Sequence, residues 1–285
     1  MSTLDYQIVD VFTDRAFAGN PLAVVFGAQD LATEQLQAIA REFNLSETVF
    51  ILPPSDPAAA TYRARIFTPQ VELPFAGHPS VGAAVVQAGG PGRVIQECGA
   101  GLLPIEVTGD GRATLTGGTP TLGPELDPAP LLATAGLAAA DFAGPAPRTA
   151  GCGIDFPYLS VRPDAVSRAM LDHAAAARDG VGEVIIVAWD AATSGAHVRM
   201  FGPGVGVAED PATGSAALGL GVWLVASGLL PGEGESAYTV RQGAEIHRPS
   251  TLECTVTAAG GAVVKATVSG QVVPVAEGRI NIPSA

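Results

Sequence analysis

Two short loops carry the residue types best suited to chemistry in this sequence. The first, residues 77–82, reads Gly-His-Pro-Ser-Val-Gly, and the second, residues 210–215, reads Asp-Pro-Ala-Thr-Gly-Ser. A proline followed by small residues is typical of a helix start. The first turn of a helix presents backbone N–H groups and the positive end of the helix dipole, so two such starts could clamp a small carboxylate.

An ordinary helix cap is the alternative for either loop, with Ser80 or Asp210 as the capping side chain. A cap does not require the glycines at positions 77, 82 and 214, which let a ligand approach the backbone closely. The two loops taken together therefore favour the anion clamp.

Glu47 is the candidate for proton transfer, because the apolar run 49–52 follows it almost directly and predicts a buried strand. An apolar setting disfavours the charged form of a carboxyl group and tunes it toward proton transfer near neutral pH. A solvated glutamate at a strand end is the commoner alternative. Glu183, just before the apolar run 184–187, is the corresponding residue of the second half and has the same two interpretations.

His78 and Asp210 are interpreted as equivalent positions of the two loops. A histidine can carry or donate a proton, and an aspartate can accept or share one. Together with Glu47 they form the predicted acid/base set, although each could instead be structural.

Other catalytic arrangements find little support in the sequence. The four histidines are far apart, and no metal-ligand spacing includes the three cysteines, Cys98, Cys152 and Cys254. The only lysine, Lys265, falls in a strand pattern, which argues against a Schiff-base cofactor or a phosphate-binding lysine. Residues 202–206 resemble a dinucleotide loop only superficially. The sequence therefore predicts proton transfer without a cofactor or a metal.

The surrounding pattern predicts strands before each loop and a buried helix after it. Glycine and proline mark the joints, and the segment 116–147 is predicted to be a connection with a short helix over 130–135. The predicted strands are 6–12, 22–26, 47–52, 62–67, further strands over 94–115, 158–161, 184–187 and 197–201. The predicted helices include one with Leu36, Ile39 and Phe43 on its apolar face, 79–88, and an apolar one from Ala216.

Two sequence matches indicate an internal duplication. Residues 65–69, Arg-Ile-Phe-Thr-Pro, match residues 199–203, Arg-Met-Phe-Gly-Pro, with an offset of 134, and residues 78–84 match residues 210–216 with an offset of 132. A two-residue deletion reconciles the offsets, so each half is predicted to contain one strand-strand-loop-helix unit. Chance similarity in an alanine- and glycine-rich chain is the alternative.

Length and charge limit the remaining possibilities. A chain of 285 residues with 47% hydrophobic residues predicts two halves, 1–118 and 119–285, with a final segment able to pack back on the first. A net charge of −13 argues against nucleic acid or a membrane surface as a partner. The sequence shows no signal-peptide pattern and no apolar span of membrane length, so a cytoplasmic location is expected.

Four segments together resemble the phenazine-biosynthesis isomerase-like family, in the family order and over nearly the whole chain. They are Asp-Val-Phe-Thr to Gly-Asn-Pro at residues 10–21, Asn-Leu-Ser-Glu-Thr at 44–48, Pro-Phe-Ala-Gly-His-Pro at 74–79, and Glu-Asp-Pro-Ala-Thr-Gly-Ser-Ala at 209–216. The resemblance implies an α+β, diaminopimelate-epimerase-like fold: two pseudo-symmetric halves, each a curved, mainly antiparallel sheet around a central helix, with the active site between them. It also implies a homodimer.

The resemblance further implies a proton-shifting isomerase, similar to dihydro-hydroxyanthranilate isomerase, that acts on a small carboxylate substrate. Glu47 would be its single acid/base, with His78, Asp210 and Ser215 helping to bind and protonate. Ser46, Gly77 and Gly214 would contact the substrate carboxylate. In the thiol-based epimerases of this fold two cysteines stand at the helix starts, at positions that His78 and Asp210 are interpreted to hold here. An epimerase or dehydratase of a hydroxylated amino acid, or a non-catalytic binder of small anions, remains the alternative.

Overall fold

A computed structural model describes residues 2–284 of the chain. It forms two compact units, the first made of Met1–Thr116 and Ser269–Ala285 and the second of Gly117–Val268. The last strand, β17 (Ala262–Asn281), therefore gives its first residues to the second unit and its remainder to the first. No helix within the described residues has the length and apolar character that crossing a membrane needs.

The first unit is a curved sheet around one helix. Strand β1 pairs with β17 and β2, and the chain of pairings continues through β3, β4, β6 and β7 to β8, which pairs with β17 again. The sheet thus curves until its two ends meet. Its elements are β1 (Thr3–Val11), β2 (Asn20–Phe26), α1 (Thr33–Phe43), β3 (Glu47–Leu52), β4 (Tyr62–Phe67), β5 (Glu72–Leu73), α2 (Gly77–Ala88), β6 (Gly92–Cys98), β7 (Gly101–Val107) and β8 (Arg112–Thr116).

The second unit repeats this plan around a second helix. Strands pair in the order β9, β10, β11, β12, β13, β15 and β16, with β14 added to β13. Its elements are β9 (Pro120–Glu125), α3 (Pro128–Thr134), β10 (Arg148–Cys152), β11 (Asp155–Ser160), α4 (Pro163–Val166), α5 (His173–Asp179), β12 (Val184–Asp190), β13 (Gly195–Gly202), β14 (Val207–Asp210), α6 (Gly214–Ala226), β15 (Gly234–Gln242) and β16 (Ser250–Ala259).

The direction of each pairing is the same in the two units, which confirms the internal duplication. The pair β2 and β3 is parallel, as is β11 and β12, and the pair β4 and β6 is parallel, as is β13 and β15. The neighbouring pairs, such as β3 with β4 and β12 with β13, are antiparallel. Each unit is therefore a mainly antiparallel sheet with parallel pairings at matching places.

The central helices are made almost entirely of small and apolar residues because strands surround them. Helix α2 packs on β1, β2, β3, β4, β6, β7 and β8, and helix α6 packs on β9, β10, β11 and β16. Gly82 shows how tight this packing is, since a Cβ at that position would lie 2.5 Å from Leu22 Cδ2 and 2.9 Å from Val11 Cγ2. A larger residue there would force the helix away from the sheet.

Most predicted elements are present, and the differences have physical reasons. The strands predicted over 47–52 and 62–67 have the predicted bounds, and the helix predicted over 79–88 starts two residues earlier, at Gly77. The connection predicted over 116–147 contains a strand, β9, as well as the expected helix. Helix α5 was not predicted because its alanine-rich sequence shows no apolar periodicity.

Candidate active site

The start of helix α2 is not capped by any side chain. Its N-cap residue is Ala76, which has no capping group. The Ser80 hydroxyl donates instead to the Ala76 carbonyl, at 2.8 Å, and accepts a hydrogen bond from Gln96 Nε2, also at 2.8 Å. The capping role considered for Ser80 is therefore wrong, and the side chain braces the first turn from inside the unit.

Glu47 opens strand β3 beside this helix start. It lies opposite Leu22 of β2, and every later residue of β3 is buried. Its side chain is 17% exposed, and its Oε2 lies 3.3 Å from Nδ1 of His78. The structure thus brings together two of the three residues in the predicted acid/base set.

His78, the second residue of α2, is a buried neutral imidazole. Its side chain is 3% exposed, and burial lowers its pKa to about 3, an effect that the Pro21 backbone opposes only in part. A histidine with this pKa carries no positive charge near neutral pH. His78 therefore does not neutralise Glu47 as an ion-pair partner would.

Asn20 is a residue of this site that the sequence analysis did not single out. It is fully buried, and its Nδ2 lies 3.2 Å from His78 Nδ1 with hydrogen-bond geometry. The Gly-Asn-Pro segment at 19–21 was read only as part of the family resemblance, and a buried amide next to a turn glycine was the signal that could have identified it.

The start of helix α6 is held by a different network. Thr213 is its N-cap residue and likewise has no side-chain cap, while the Thr213 hydroxyl donates to Asp210 Oδ2 at 2.6 Å. Gln242 on β15 donates to the Asp210 carbonyl at 2.7 Å and accepts from the Thr213 N–H at 3.2 Å. The capping role considered for Asp210 is wrong, and Gln242 is a second residue that sequence reasoning missed.

His78 and Asp210 are not equivalent positions, which corrects the alignment of the two loops. Leu73 pairs with Ile66, and Asp210 pairs with Met200, the residue that corresponds to Ile66 in the duplication. Gly77 and Gly214 are the first residues of their helices. The two segments therefore align as Glu-Leu-Pro-Phe-Ala-Gly-His, 72–78, and Glu-Asp-Pro-Ala-Thr-Gly-Ser, 209–215.

In this alignment His78 corresponds to Ser215, and Asp210 corresponds to Leu73. The offset rises from 134 between Arg65 and Arg199 to 137 between Glu72 and Glu209, so the second unit has a three-residue insertion rather than a two-residue deletion. The positions at the N-caps are Ala76 and Thr213.

One ion pair supports this alignment because it occurs at the same place in each unit. Arg65 binds Glu72 through two contacts of 2.7 Å, and Arg199 binds Glu209 through contacts of 2.9 and 2.6 Å. Each guanidinium also lies over the phenylalanine two residues later, at 5.2 Å in the first unit and 5.0 Å in the second. The repeated arginine clamps the strand that leads into the helix start.

The remaining predicted site residues occupy the expected segments. Gly77 and Gly214 begin the two helices, Ser215 is buried in the first turn of α6, and Ser46 is half-buried just before Glu47. Their roles toward a substrate stay predictions, as do those of Glu47, His78 and Asp210.

Glu183, the residue just before β12, is partly buried, and that burial raises its pKa. It lies near Tyr158, whose pKa burial raises strongly, with Glu183 among the smaller causes. No hydrogen bond or ion pair joins the side chain of Glu183 to another residue of the described chain. It therefore differs from Glu47, whose carboxylate lies against a histidine.

Two of the three thiols, those of Cys152 and Cys254, are buried. Burial raises the pKa of Cys152 to about 12 and raises that of Cys254 above its ordinary value as well. The thiolate is the reactive form, so these two cysteines are inert near neutral pH. Within residues 2–284 no group of histidine, cysteine and acidic side chains has an arrangement that would hold a metal ion.

Comparisons with known proteins identify the family of this chain. The family model described as phenazine biosynthesis-like protein matches residues 9–278. An uncharacterized isomerase of Mesorhizobium japonicum is 37% identical over 99% of this chain and 100% of its own length. The trans-2,3-dihydro-3-hydroxyanthranilate isomerase of Pseudomonas aeruginosa is 36% identical over 96% of this chain and 98% of its own.

The fold has a close match among solved structures. A predicted epimerase from Pseudomonas aeruginosa superimposes with a TM-score of 0.82 and 30% identity, covering 97% of this chain and 99% of the other. The predicted epimerase-like α+β fold and the predicted isomerase class are confirmed by these likenesses. This chain is an isomerase-class member of the phenazine biosynthesis-like protein family.

Proposed function

We propose that this protein is a cofactor-independent isomerase in which Glu47 removes a proton from a small carboxylate-bearing substrate and returns it to another carbon. The observation that carries the proposal is the contact of 3.3 Å between Glu47 Oε2 and His78 Nδ1 at the uncapped start of α2. A carboxylate beside a neutral imidazole keeps its own negative charge, so it can act as a base.

The chemistry needs only one proton carrier. Glu47 takes a proton from a carbon conjugated with the substrate carboxylate, the C–H electron pair shifts the double bond, and the protonated Glu47 delivers the same proton to the carbon that gained electron density. The step is redox-neutral. The charge that develops on the substrate is enolate-like, and backbone N–H groups at a helix start stabilise such charge.

The substrate class follows from the relatives. A trans-2,3-dihydro-3-hydroxyanthranilate isomerase at 36% identity supports a cyclic amino carboxylate as the substrate. Within the proposal, Ser46, Gly77, Gly214 and Ser215 contact the substrate, and His78 and Asp210 act as partners of the acid/base step.

A two-thiol racemase is not supported. The N-cap positions of the two helices hold Ala76 and Thr213 rather than cysteines, and the pKa of Cys152 is raised to about 12 by burial. These observations favour carboxylate over thiol chemistry.

The test is turnover of trans-2,3-dihydro-3-hydroxyanthranilate in heavy water by the wild type, Glu47→Gln and Glu183→Gln. The glutamine keeps the shape of each side chain and removes the base, and Glu183 is the matched control from the second unit. We expect Glu47→Gln to lose about 10³-fold in kcat, within the range for acid/base catalysis. Glu183→Gln should stay within a few-fold of the wild type.

Equal turnover by Glu47→Gln and the wild type would contradict the proposal. Analysis of the products separates the alternatives. Inversion at one carbon indicates an epimerase, loss of water indicates a dehydratase, and saturable binding without turnover indicates an anion-binding protein.

A further inference from the structure

Nδ1 of His78 has two polar neighbours, and only one of them makes a hydrogen bond with it. Asn20 Nδ2 lies 3.2 Å away with hydrogen-bond geometry. Glu47 Oε2 lies 3.3 Å away, close enough for an ion pair but without a hydrogen bond to the ring. Nδ1 therefore interacts chiefly with an amide nitrogen, which can only donate.

The protonation state of the ring leaves two choices for its proton. Because burial lowers the pKa of His78 to about 3, the ring is neutral near pH 7 and carries one proton, on Nδ1 or on Nε2. Nε2 is buried and has no hydrogen-bond partner within the described chain, although the Pro21 backbone lies near enough to affect the pKa. The contacts at Nδ1 therefore decide between the two tautomers.

The backbone around Asn20 holds its side chain beside the ring. Gly19 has a φ of +66°, and a Cβ at that position would lie 2.3 Å from the Val11 carbonyl oxygen, so only glycine fits the turn. Asn20 then pairs with Val11 as the first residue of β2, and Pro21 follows with its constrained φ. A fully buried amide on such a backbone has little freedom to move away from the ring.

From this geometry we infer that Asn20 is a positioning residue that holds His78 in the tautomer with its proton on Nε2. A proton on Nδ1 would point at the N–H group of Asn20, whereas a lone pair on Nδ1 accepts from it. His78 then presents a lone pair, and no N–H, to Glu47.

The consequence for catalysis rests on the proposed function of Glu47. A lone pair 3.3 Å from a carboxylate oxygen gives the negative charge no stabilisation, so in this tautomer His78 does not weaken Glu47 as a base. The opposite tautomer would donate an N–H to the carboxylate and weaken it as a base.

The experiment is ¹⁵N NMR of the wild-type protein labelled at histidine, recorded without substrate near pH 7. Protonated and unprotonated ring nitrogens resonate far apart, and the two tautomers give different patterns of coupling to the ring protons. Loss of one spin system in His78→Gln assigns His78 among the four histidines. We expect an unprotonated Nδ1 and a protonated Nε2; a protonated Nδ1 overturns the inference.

Two variants test the role of Asn20 itself. Asn20→Asp replaces the donor by an acceptor of the same shape, so we expect the proton of His78 to move to Nδ1 and kcat to fall at least tenfold. Asn20→Ser, a smaller change, should leave a mixture of tautomers and serves if Asn20→Asp does not fold. An unchanged tautomer in the folded variant would show that Asn20 does not control the ring.

This readout is independent of the proposed reaction. If Glu47→Gln keeps full activity but the tautomer is as expected, the function fails and the inference about Asn20 stands. If Glu47→Gln is inactive but Nδ1 is protonated, the function stands and the inference fails.

Discussion

The two helix starts are built on the same framework but present different chemical groups. Both follow the pattern Glu-x-Pro-x-x-Gly, and in both the glutamate binds an arginine on the preceding strand. The residue after the glycine is His78 in the first unit and Ser215 in the second. The glutamate, proline, glycine and arginine that shape each helix start are therefore the same in both units, while the side chains suited to acid/base catalysis differ.

The two units also differ in the surroundings of two equivalent glutamates, Glu47 at the start of β3 and Glu183 just before β12. Glu47 lies against a histidine that Asn20 contacts from the other side, whereas Glu183 has no hydrogen-bonded or charged partner in the described chain. A symmetric two-base enzyme would need similar groups in both units. The observed inequality favours a single base in the first unit.

Making the two helix starts alike should have the largest effect. His78→Ser gives the first unit the residue of the second, and we expect kcat to fall about 10²-fold, because the ring beside Glu47 is lost. Steady-state kinetics on trans-2,3-dihydro-3-hydroxyanthranilate would measure this, with Ser215→Ala as the matched change in α6. A larger loss in Ser215→Ala than in His78→Ser would reverse the assignment of the units.

The repeated ion pair should matter more in the second unit. Arg199 and Glu209 are 7% and 10% exposed, whereas Arg65 and Glu72 are 18% and 38% exposed. Removing one partner of a buried pair costs about 3–5 kcal/mol, and an exposed pair contributes about 0–1 kcal/mol. Urea unfolding of Arg199→Met and Arg65→Met should show this difference in the free energy of unfolding. Equal losses of stability in the two variants would mean that burial does not determine how much each ion pair contributes.

The glutamines that brace the two helix starts should have intermediate effects on stability. Gln242→Met removes the bonds to the Asp210 carbonyl and Thr213, and Gln96→Met removes those to Ser80 and Tyr62. Each change leaves buried polar groups without partners, at a cost of about 1–3 kcal/mol. Thermal unfolding measures that cost. We also expect Gln242→Met to alter KM, whereas a surface change such as Gln29→Met should not. If Gln242→Met left both KM and stability unchanged, Gln242 would not support the start of α6.

A further difference is a dependence of stability on pH that belongs to the first unit. Since the pKa of His78 is lowered to about 3 in the folded protein, the unfolded chain binds a proton between that value and about 6.5, and the folded chain does not. Stability is therefore lost as pH falls through this window, by about 1.4 kcal/mol per pH unit.

The stability difference between the wild type and His78→Gln should accordingly shrink as the pH is lowered from 7 to 5. Urea titrations at each pH measure it, and His173→Gln, at the start of α5, is the control. A difference that does not change with pH would mean that burial does not lower the pKa of His78 in the folded state.

The sequence predicted the elements whose patterns are strong. Strand β3 is an almost continuous apolar run, and strand β4 begins with alternating apolar and charged residues. The loops that contain glycine and proline indicate where the two central helices begin. Strand β9 was not predicted because its sequence, with prolines at both 120 and 124, is depleted of typical strand residues.

The alignment of the two loops failed for an instructive reason. His78-Pro79 and Asp210-Pro211 look alike in sequence, but Pro79 is the third residue of α2, whereas Pro211 precedes α6. A proline is tolerated in either place because the first turn of a helix lacks backbone partners. Only the strand register, in which Leu73 and Asp210 are equivalent, separates the two cases.

The pairing of Glu47 with His78 followed from the motifs, but Asn20 did not. Asn20 lies far from both in the sequence, and a single buried asparagine has no pattern that predicts its partner. The parallel pairing of β2 with β3 is what brings it beside the start of α2. Parallel neighbours of this kind are difficult to predict from local sequence.

The central claim, that Glu47 alone carries the proton, is tested most directly with a substrate that bears deuterium at the carbon losing its proton. The reaction is run in ordinary water as a single turnover, and the product is examined by NMR and mass spectrometry. A single shielded glutamate predicts that part of the deuterium appears at the carbon that receives the proton, and that Glu47→Gln abolishes this transfer. A product with no deuterium at that carbon, even at the shortest reaction times, would contradict the account.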